Sequence, residues 1–256
     1  MARRGVRPSG AFTWVDLATF DVAAARRFYN RVFGWTFSAD AAGYQQCAAG
    51  GQPRAGLYTM PAFFQRINMP SFWMSYIAVP QLDAVVETAR TLGGRVELEE
   101  RGAFGKVALI RDPSGAGFTC HEDQWTRAPR DATRPGSWAW TELFVSELAL
   151  VRRFYETLFG WRISELGGHR HAILNARGET IATIQVASND VKGDKEFWAV
   201  YFAVRELEAA ARAVVELGGR IEYRHVNAQG AHVLARDDQG AAFFLSEATR
   251  RSFWGS

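Results

Sequence analysis

Two stretches of the sequence decide the fold: residues 12–35 read FTWVDLATFDVAAARRFYNRVFGW, and residues 138–161 read WAWTELFVSELALVRRFYETLFGW. They share an early Trp, an Arg-Arg-Phe-Tyr run and a closing Phe-Gly-Trp, each displaced by 126 residues. Later matches are displaced by 125 residues and comprise Phe72-Trp73 with Phe197-Trp198, Leu92-Gly93-Gly94 with Leu217-Gly218-Gly219, and Asp112 with Asp237. Self-similarity at a fixed spacing is the signature of a repeated structural unit, so the chain is predicted to be a tandem duplication.

The duplication divides the 256 residues into two similar parts. The first predicted domain covers residues 8–126 and the second covers residues 137–250. Between them, residues 127–136 read RAPRDATRPG, which is rich in proline and charge and has no apolar periodicity. Such a composition is typical of a linker.

Each half carries the pattern of two βαβββ modules. Residues 12–19 are rich in aromatic and β-branched types and predict a strand. Asp21 then stands at a helix N-cap, before an apolar stripe at helical spacing. A second strand at 72–79 and a second helix at 82–92, ended at Gly93, repeat the pattern. Three further strands are predicted near 95–99, 106–111 and 116–121.

Composition excludes several classes of protein. Hydrophobic residues make up 48% and charged residues 22%, the balance of a globular chain with a real core. No apolar run is long enough to span a membrane, and the basic N-terminus lacks the apolar region of a secretory signal. The net charge of +3 comes from scattered arginines, which does not favour nucleic acid. Cys47 and Cys120 lie far apart, as in a cytoplasmic protein with free thiols.

The repeated motifs resemble the vicinal oxygen chelate superfamily, the group of glyoxalases, bleomycin-resistance proteins and extradiol dioxygenases. The most specific matches are Arg26 to Trp35, the same run at 152–161, and the hairpin Arg111-Asp112-Pro113-Ser114-Gly115. The resemblance implies an α+β fold with two glyoxalase-like domains. Each domain would hold two βαβββ modules that form a half-open eight-stranded barrel, with a ligand and often a divalent metal in its concave face.

The resemblance also implies where metal ligands would stand. Those positions are occupied by Trp14, Met74 and Thr119 in the first half and by Trp140, Ala199 and Phe244 in the second. Divalent metals bind deprotonated nitrogen, oxygen or sulfur donors, and these side chains offer no strong one. We therefore expect no metal at these positions and no cofactor.

Strand alternation predicts which side chains share the concave face with those positions. The expected ligand-binding residues are Trp14, Phe72, Met74, Tyr76, Thr119 and His121 in the first half, and Trp140, Phe144, Phe197, Tyr201 and Phe244 in the second. One carboxylate per half, Asp16 and Glu142, is expected on the same face. Such a lining suits a planar, partly apolar ligand with a polar or cationic group.

Several alternatives remain at this stage. Asp16 and Glu142 are each compatible with a structural ion pair to an arginine, a ligand anchor or a catalytic base, and the aromatic residues could instead fill a closed core. His169 and His171 form an H-x-H pair that could bind metal, although the preceding glycines favour a solvated hairpin. His121 is a further candidate ligand for a metal outside the usual site.

Three functions follow from these alternatives. The first is a metal-independent small-molecule binding protein of the bleomycin-resistance type. The second is an enzyme, a lyase, isomerase or hydroxylase-like protein, in which Asp16 or Glu142 acts as general base. The third is a protein-interaction scaffold whose cup has filled in. The expected partner is a small molecule, with no nucleic acid or membrane, in a monomer with an internal pseudo-dimer or in a homodimer.

Overall fold

The computed structural model describes residues 10–102, 105–122, 130–227 and 230–248. The first half contains the elements β1 Ala11–Thr19, α1 Val22–Phe33, β2 Thr36–Ala39, β3 Gln45–Ala49, β4 Gln52–Thr59, α2 Ala62–Arg66, β5 Phe72–Ala78, α3 Leu82–Thr91, β6 Arg95–Gly102, β7 Gly105–Arg111 and β8 Gly117–Glu122. The second half contains β9 Trp138–Val145, α4 Leu148–Phe159, β10 Arg162–Gly167, β11 Arg170–Leu174, β12 Thr180–Val186, α5 Asn189–Lys192, β13 Phe197–Val204, α6 Leu207–Glu216, β14 Arg220–Asn227, β15 Gly230–Arg236 and β16 Ala242–Glu247.

The strands form two eight-stranded sheets with the same order. One sheet runs β2-β3-β4-β1-β5-β8-β7-β6, and the other runs β10-β11-β12-β9-β13-β16-β15-β14. In each sheet the outer strands pair antiparallel, whereas β1 with β4 and β5 with β8 pair parallel, as do their counterparts. Neither sheet closes into a barrel. The predicted α+β fold of four βαβββ modules in two half-open sheets is confirmed.

The first helix shows why the repeated motif forms the predicted element. The Asp21 carboxylate accepts the Ala24 N–H at 2.9 Å, which satisfies one free donor of the first turn. Gly34 ends the helix in the left-handed conformation with φ of 70°. The buried face carries Ala25, Phe28, Tyr29 and Phe33. The helix and its cap are therefore those that the sequence predicts.

The chain divides into two compact units that combine modules from both halves. The first unit comprises residues 1–13, 75–126 and 142–198, and in it α3 packs against α4. The second unit comprises residues 14–74, 127–141 and 199–256, and in it α1 packs against α6. The predicted domain bounds, which follow the repeat along the sequence, stay a prediction.

The repeated Tyr, Trp and Asp residues form one buried hydrogen-bond network in each unit. In the first unit the Tyr155 hydroxyl donates to Asp112 Oδ2 at 2.7 Å and accepts from Trp198 Nε1 at 2.8 Å. The other oxygen, Asp112 Oδ1, accepts three backbone N–H groups of its hairpin. The second unit repeats this network with Tyr29, Asp237 and Trp73. These motif residues are therefore structural.

The buried carboxyl in this network predicts a pH dependence of stability. Burial raises the pKa of Asp112, although its hydrogen bonds oppose the shift. Above about pH 4, the usual carboxyl range, the unfolded chain loses this proton before the folded protein does, so the free energy of unfolding falls with rising pH. We expect the free energy of unfolding of Asp112→Asn to fall less than that of the wild-type protein between about pH 4 and 7. Denaturant titrations over this pH range measure the difference. The exposed control Asp190→Asn should leave the profile unchanged, and identical profiles for both variants would contradict this reading.

Within the described residues, no helix is both long and apolar enough to span a membrane. Both cysteines are buried and free.

Candidate functional site

The residues predicted to line the concave faces are divided between the two units. The second unit holds Trp14, Asp16, Phe72, Met74, Trp140, Tyr201 and Phe244. The first unit holds Tyr76, Thr119, His121, Glu142, Phe144 and Phe197. Most of these side chains are buried, and Phe72, Tyr76 and Phe197 remain half-exposed.

A chain of hydrogen bonds connects Trp14 to Asp16 in the second unit. Trp14 Nε1 donates to the Tyr44 hydroxyl at 2.7 Å, and that hydroxyl donates to Asp16 Oδ2 at 3.4 Å. Tyr44 also stacks on Tyr58, with ring centroids 6.1 Å apart. Both tyrosines are half-exposed, so they form the accessible side of the cluster. A buried carboxylate is thus joined to two rings that a ligand can reach.

The Tyr44 ring occupies space that a glycine leaves open. Gly56 on β4 pairs with Asp16 on β1. A Cβ at Gly56 would overlap the Tyr44 hydroxyl and lie 2.9 Å from the Asp16 Cβ. Tyr44 was not predicted as a site residue because it precedes a short strand, β3, far along the chain from Asp16. The only indication of Tyr44 in the sequence was that a buried Asp16 carboxylate needs a hydrogen-bond donor.

Glu142 occupies the position equivalent to Asp16 and has different partners. Its Oε1 lies 2.9 Å from Arg170 Nη2 and accepts the Thr183 hydroxyl at 2.8 Å. Arg170 is the counterpart of Tyr44, because it lies one repeat distance of 126 residues later in the chain. Thr183 is the counterpart of Gly56, because Thr183 pairs with Glu142 and Gly56 pairs with Asp16. The structural ion pair, one of three alternatives for both carboxylates, is therefore favoured for Glu142.

Other predicted ligand-binding residues of the first unit form local contacts. Thr13 Oγ1 and His121 Nε2 are hydrogen-bonded at 2.7 Å, and His121 is fully buried. Tyr76 and Thr119 are paired across β5 and β8. Phe144 stacks on Phe197, with ring centroids 5.2 Å apart. These contacts leave Tyr76 and Phe197 as the accessible aromatic side chains of this set.

Some predicted ligand-binding residues of the second half lie in the second unit, and their contacts are mainly aromatic. Tyr201 stacks on Phe244 with centroids 4.4 Å apart and meets His232 edge-on at 5.6 Å. The Arg130 guanidinium lies 4.3 Å from the centre of a Trp140 ring, within the range of a cation–π interaction. Burial lowers the pKa of Arg130 to about 10. Sequence reasoning missed Arg130, which belongs to the predicted linker.

The second unit also contains a buried arginine that was missed from the sequence. Arg54 lies on β4, two residues before Gly56, and only 9% of its surface is exposed. Its Nη2 donates to the Ala49 carbonyl at 3.4 Å, and its Nε has no hydrogen-bond partner within the described ranges. A guanidinium has five N–H donors, and one of them bonds to a protein acceptor among the residues that the structure describes.

The donor sets do not fit the divalent metal that the fold suggests. The six positions named above carry indole, thioether, hydroxyl, methyl and phenyl groups, which do not form a metal site. In the part of the chain that the structure describes, no three His, Cys, Asp or Glu residues are grouped to hold an ion. His169 lies exposed in a turn with φ of 62°, and His171 is half-buried on β11. The H-x-H pair therefore has no third donor among these residues.

Comparisons with known proteins agree with this architecture. A Glyoxalase-like domain matches residues 14–121, and the Glyoxalase/Bleomycin resistance protein/Dioxygenase superfamily matches residues 137–245. The Mycobacterium bovis protein named "Putative glyoxylase CFP32" is 29% identical over 255 residues, covering 95% of this chain and 97% of that protein. The anthracycline biosynthesis protein DauV of Streptomyces sp. strain C5 is 29% identical over 264 residues, covering 93% of each chain.

Among solved structures, the Mn(II)-bound glyoxalase from Novosphingobium aromaticivorans superposes with a TM-score of 0.62. It is 17% identical, and the superposition covers 97% of this chain and 85% of that one. The 2,3-dioxygenase LapB from Pseudomonas sp. KL28 gives a TM-score of 0.59 at 12% identity, covering 98% and 97% of the two chains. Identities this low demonstrate a shared fold alone.

Proposed function

Because the chain belongs to the Glyoxalase/Bleomycin resistance protein/Dioxygenase superfamily, we propose that it binds a planar, partly apolar small molecule without a metal. The observation that carries this proposal is the hydrogen-bonded chain Trp14–Tyr44–Asp16. A closed apolar core does not need a carboxylate, and burying one is unfavourable unless polar partners surround it. The stacked rings of Tyr44 and Tyr58 offer a flat, half-exposed surface next to that carboxylate.

The relatives support a planar ligand. DauV and the Streptomyces peucetius protein DnrV are named as anthracycline biosynthesis proteins, and the alignment with each of them covers 93% of this chain. Anthracyclines are flat, fused-ring molecules with polar substituents. A ligand of that chemistry would stack on tyrosine rings and donate a hydroxyl hydrogen bond to Asp16.

The metal-free character of the proposal rests on the donor chemistry of the site. Trp14, Met74 and Thr119 in the first half provide no strong ligand for a divalent ion. Orientation of the ligand must then come from hydrogen bonds and stacking, in the manner of a bleomycin-resistance protein. Activation of bound water by a metal is not part of this proposal.

An enzymatic role is the second candidate, and Asp16 is the residue that would carry it. Asp16 is buried, and Tyr44 donates a hydrogen bond to its carboxylate. A carboxylate in such surroundings can accept a proton from an acidic C–H or O–H of a ligand. Glu142 is a weaker candidate, because its Oε1 already binds Arg170 and the Thr183 hydroxyl.

The scaffold with a filled cup is favoured by one observation. Trp14 is only 1% exposed and Trp140 only 5%, so both rings are packed against protein atoms. A ligand would then reach Tyr44 and Tyr58 rather than Trp14 itself. Binding of a planar compound at Tyr44 and Tyr58 would favour the small-molecule binding protein over the scaffold.

We further propose that the protein acts in the cytoplasm as a monomer with an internal pseudo-dimer or as a homodimer. Two buried free thiols agree with a reducing compartment. The small net charge of +3 gives no electrostatic reason to expect nucleic acid as a partner.

Titration with a neutral planar probe tests the proposed function. We expect anthraquinone-2-carboxamide to bind with saturation, measured by calorimetry and by quenching of tryptophan fluorescence. Tyr58→Leu should weaken binding about threefold to tenfold, because one aromatic stacking pair contributes about 0.5–1.5 kcal/mol. Tyr223→Leu, at a tyrosine that is 38% exposed on β14, should have no effect.

Two further measurements make this test decisive. Cyclohexanecarboxamide, which is not planar, should bind far more weakly than the anthraquinone. Treatment with EDTA should leave the affinity unchanged. The proposal fails if the anthraquinone does not bind, or if EDTA abolishes binding and Mn²⁺ or Zn²⁺ restores it.

A further inference from the structure

One loop of the second unit begins and ends at the same residue of β1. This 60–71 loop connects β4 to β5 and contains α2. At its start the Met60 N–H donates to the Thr19 carbonyl at 2.8 Å, and at its end the Ser71 hydroxyl donates to Thr19 Oγ1 at 3.3 Å. Compact surface loops of this length whose ends lie close together are frequently functional.

Side-chain contacts place the two ends of this loop beside the face of the sheet that carries Tyr58. The Thr19 and Ser71 side chains are bonded to each other, so they share one face. Alternation along the chain therefore places their neighbours, Ala18 and Phe72, on the opposite face. Tyr58 pairs with Ala18 and lies on that same opposite face. Phe72 and Tyr58 are thus two aromatic side chains of one surface.

An aromatic contact attaches α2 to this surface. The ring of Phe64 meets the half-exposed ring of Phe72 edge-on, with centroids 5.6 Å apart. In the sheet order, β1 is the one strand between β4, which carries Tyr58, and β5, which carries Phe72. Two strand spacings amount to about 10 Å across the sheet. The helix is therefore anchored at about one ring-system length from Tyr58.

Few contacts hold the loop in its position. Among the residues that the structure describes, the hydrogen bonds of residues 61–70 are formed within the loop itself. Gln65 Nε2 donates to the Met60 carbonyl at 2.7 Å, and the Met69 N–H donates to the Phe64 carbonyl at 3.0 Å. A segment with few contacts to the body of a protein opens at a low cost in free energy. The loop can therefore move while the sheet stays intact.

The second half fastens the equivalent loop, between β12 and β13, with buried polar groups. The Lys192 ammonium donates to Asn189 Oδ1 at 3.0 Å and to the Gly193 carbonyl at 3.1 Å, and it lies 3.1 Å from Glu196 Oε1. The Glu196 carboxylate also accepts the N–H and the hydroxyl of Ser146. The weak attachment of the 60–71 loop is thus a property of the first half and not a requirement of the fold.

The 60–71 loop exposes two large apolar side chains. Phe63 is 54% exposed, and Ile67, four residues later, is 53% exposed. The Phe63 ring also contacts the ring of Phe64, with centroids 5.4 Å apart, so it lies beside the residue that anchors α2. Covering an exposed phenyl ring with another apolar surface is favourable. The planar ligand proposed for Tyr44 and Tyr58 offers such a surface.

We propose that Phe63 is a ligand-contacting residue: the 60–71 loop folds over the planar ligand, which is then held between the rings of Phe63 and Tyr58. This inference rests on the proposed function, since it adds a second wall to the same site. Rings on both sides exclude water from a flat molecule, whereas a thick, non-planar molecule does not fit between them. Closure of a loop over a bound ligand also slows its release. The loop therefore favours flat ligands and lengthens their residence time.

Binding of anthraquinone-2-carboxamide to Phe63 variants tests this assignment. Phe63→Ser should weaken binding about threefold to tenfold, the effect of one stacked aromatic pair. In stopped-flow fluorescence it should raise the dissociation rate by about the same factor, because the loss lies mainly in release. Phe63→Trp keeps a flat ring and should bind as the wild-type protein does. Leu150→Ser, at an apolar residue of α4 that is 50% exposed, should change neither quantity.

Hydrogen exchange of the wild-type protein locates the closure. With the anthraquinone bound, the backbone amides of residues 61–70 should exchange more slowly than in the free protein. The amides of residues 187–196, the equivalent loop of the second half, should exchange at an unchanged rate. This measurement needs no variant, so it stays decisive whatever the stability of Phe63→Ser.

The outcomes separate this inference from the proposed function. If the anthraquinone binds and Phe63→Ser keeps the wild-type affinity, or residues 61–70 gain no protection, the assignment is overturned and the proposed function stands. If the anthraquinone does not bind at all, both are overturned together. A lower sedimentation coefficient for Phe63→Ser with unchanged affinity also overturns the assignment, because the exposed ring then belongs to a contact between two copies of the chain.

Discussion

Replacing Arg170 by methionine is expected to lower the free energy of unfolding by about 3–5 kcal/mol, since removal of one partner leaves a buried charge uncompensated. Glu142 is 3% exposed, and its Oε1 lies 2.9 Å from Arg170 Nη2. The Thr183 hydroxyl would remain as a donor, but a neutral hydrogen bond does not neutralise a carboxylate. Chemical denaturation at neutral pH measures the effect.

Two controls show whether the loss comes from the uncompensated charge. Arg220→Met also breaks an ion pair, with Glu222, but 68% of the Arg220 side chain is exposed, so the effect should stay below about 1 kcal/mol. The double variant Arg170→Met/Glu142→Leu should recover much of the stability, because an apolar pair of similar size replaces a buried ion pair at little or no cost. Equal losses for Arg170→Met and Arg220→Met would contradict the account.

This experiment also bears on the enzymatic candidate. The Glu142 oxygen that contacts Arg170 and Thr183 is already used by protein donors, so it is not available to a ligand. If Arg170→Met/Glu142→Leu folds and still binds anthraquinone-2-carboxamide, Glu142 is not needed for the ligand. Asp16 would then remain as the candidate carboxylate of the proposed site.

Gly56→Ala is expected to weaken binding of anthraquinone-2-carboxamide by about tenfold or more and to lower the free energy of unfolding by about 1–3 kcal/mol, the usual range for an overfilled core. The new methyl group would overlap the Tyr44 hydroxyl and lie 2.9 Å from the Asp16 Cβ. Tyr44 must then move, which breaks its bonds to Trp14 and Asp16. Calorimetry and denaturation on the same samples measure both quantities.

A second substitution identifies Tyr44 as the cause. In a Tyr44→Ala background the overlap with the Tyr44 ring is gone and only the close approach to the Asp16 Cβ remains, so Gly56→Ala should destabilise much less than in the wild-type protein. Gly56 has no left-handed backbone that would disfavour alanine. The double-mutant cycle should therefore give a coupling of about 1–3 kcal/mol. Additive effects of the two substitutions would show that Tyr44 and Gly56 do not compete for the same space.

The sequence by itself determined the elements and their duplication. Local signals carry this information: Asp21 at a helix start, Gly34 at its end and an apolar stripe between them specify a helix wherever it later packs. The spacing of 126 residues between matching motifs then showed that the same element occurs again. Even the absence of strong metal donors at Trp14 and Trp140 could be read from residue types alone.

Only the tertiary structure decided which partners the buried polar groups have. Asp16 and Glu142 stand at equivalent positions in the sequence, yet one receives Tyr44 and the other Arg170. The repeated Tyr29 donates to Asp237, 208 residues away. The partner of a buried charge depends on which distant strands become neighbours, and local periodicity contains no information on that. Hydrophobic patterning is therefore sufficient to predict strands and helices, whereas the chemistry on the faces of the sheets depends on contacts formed only when the chain has folded.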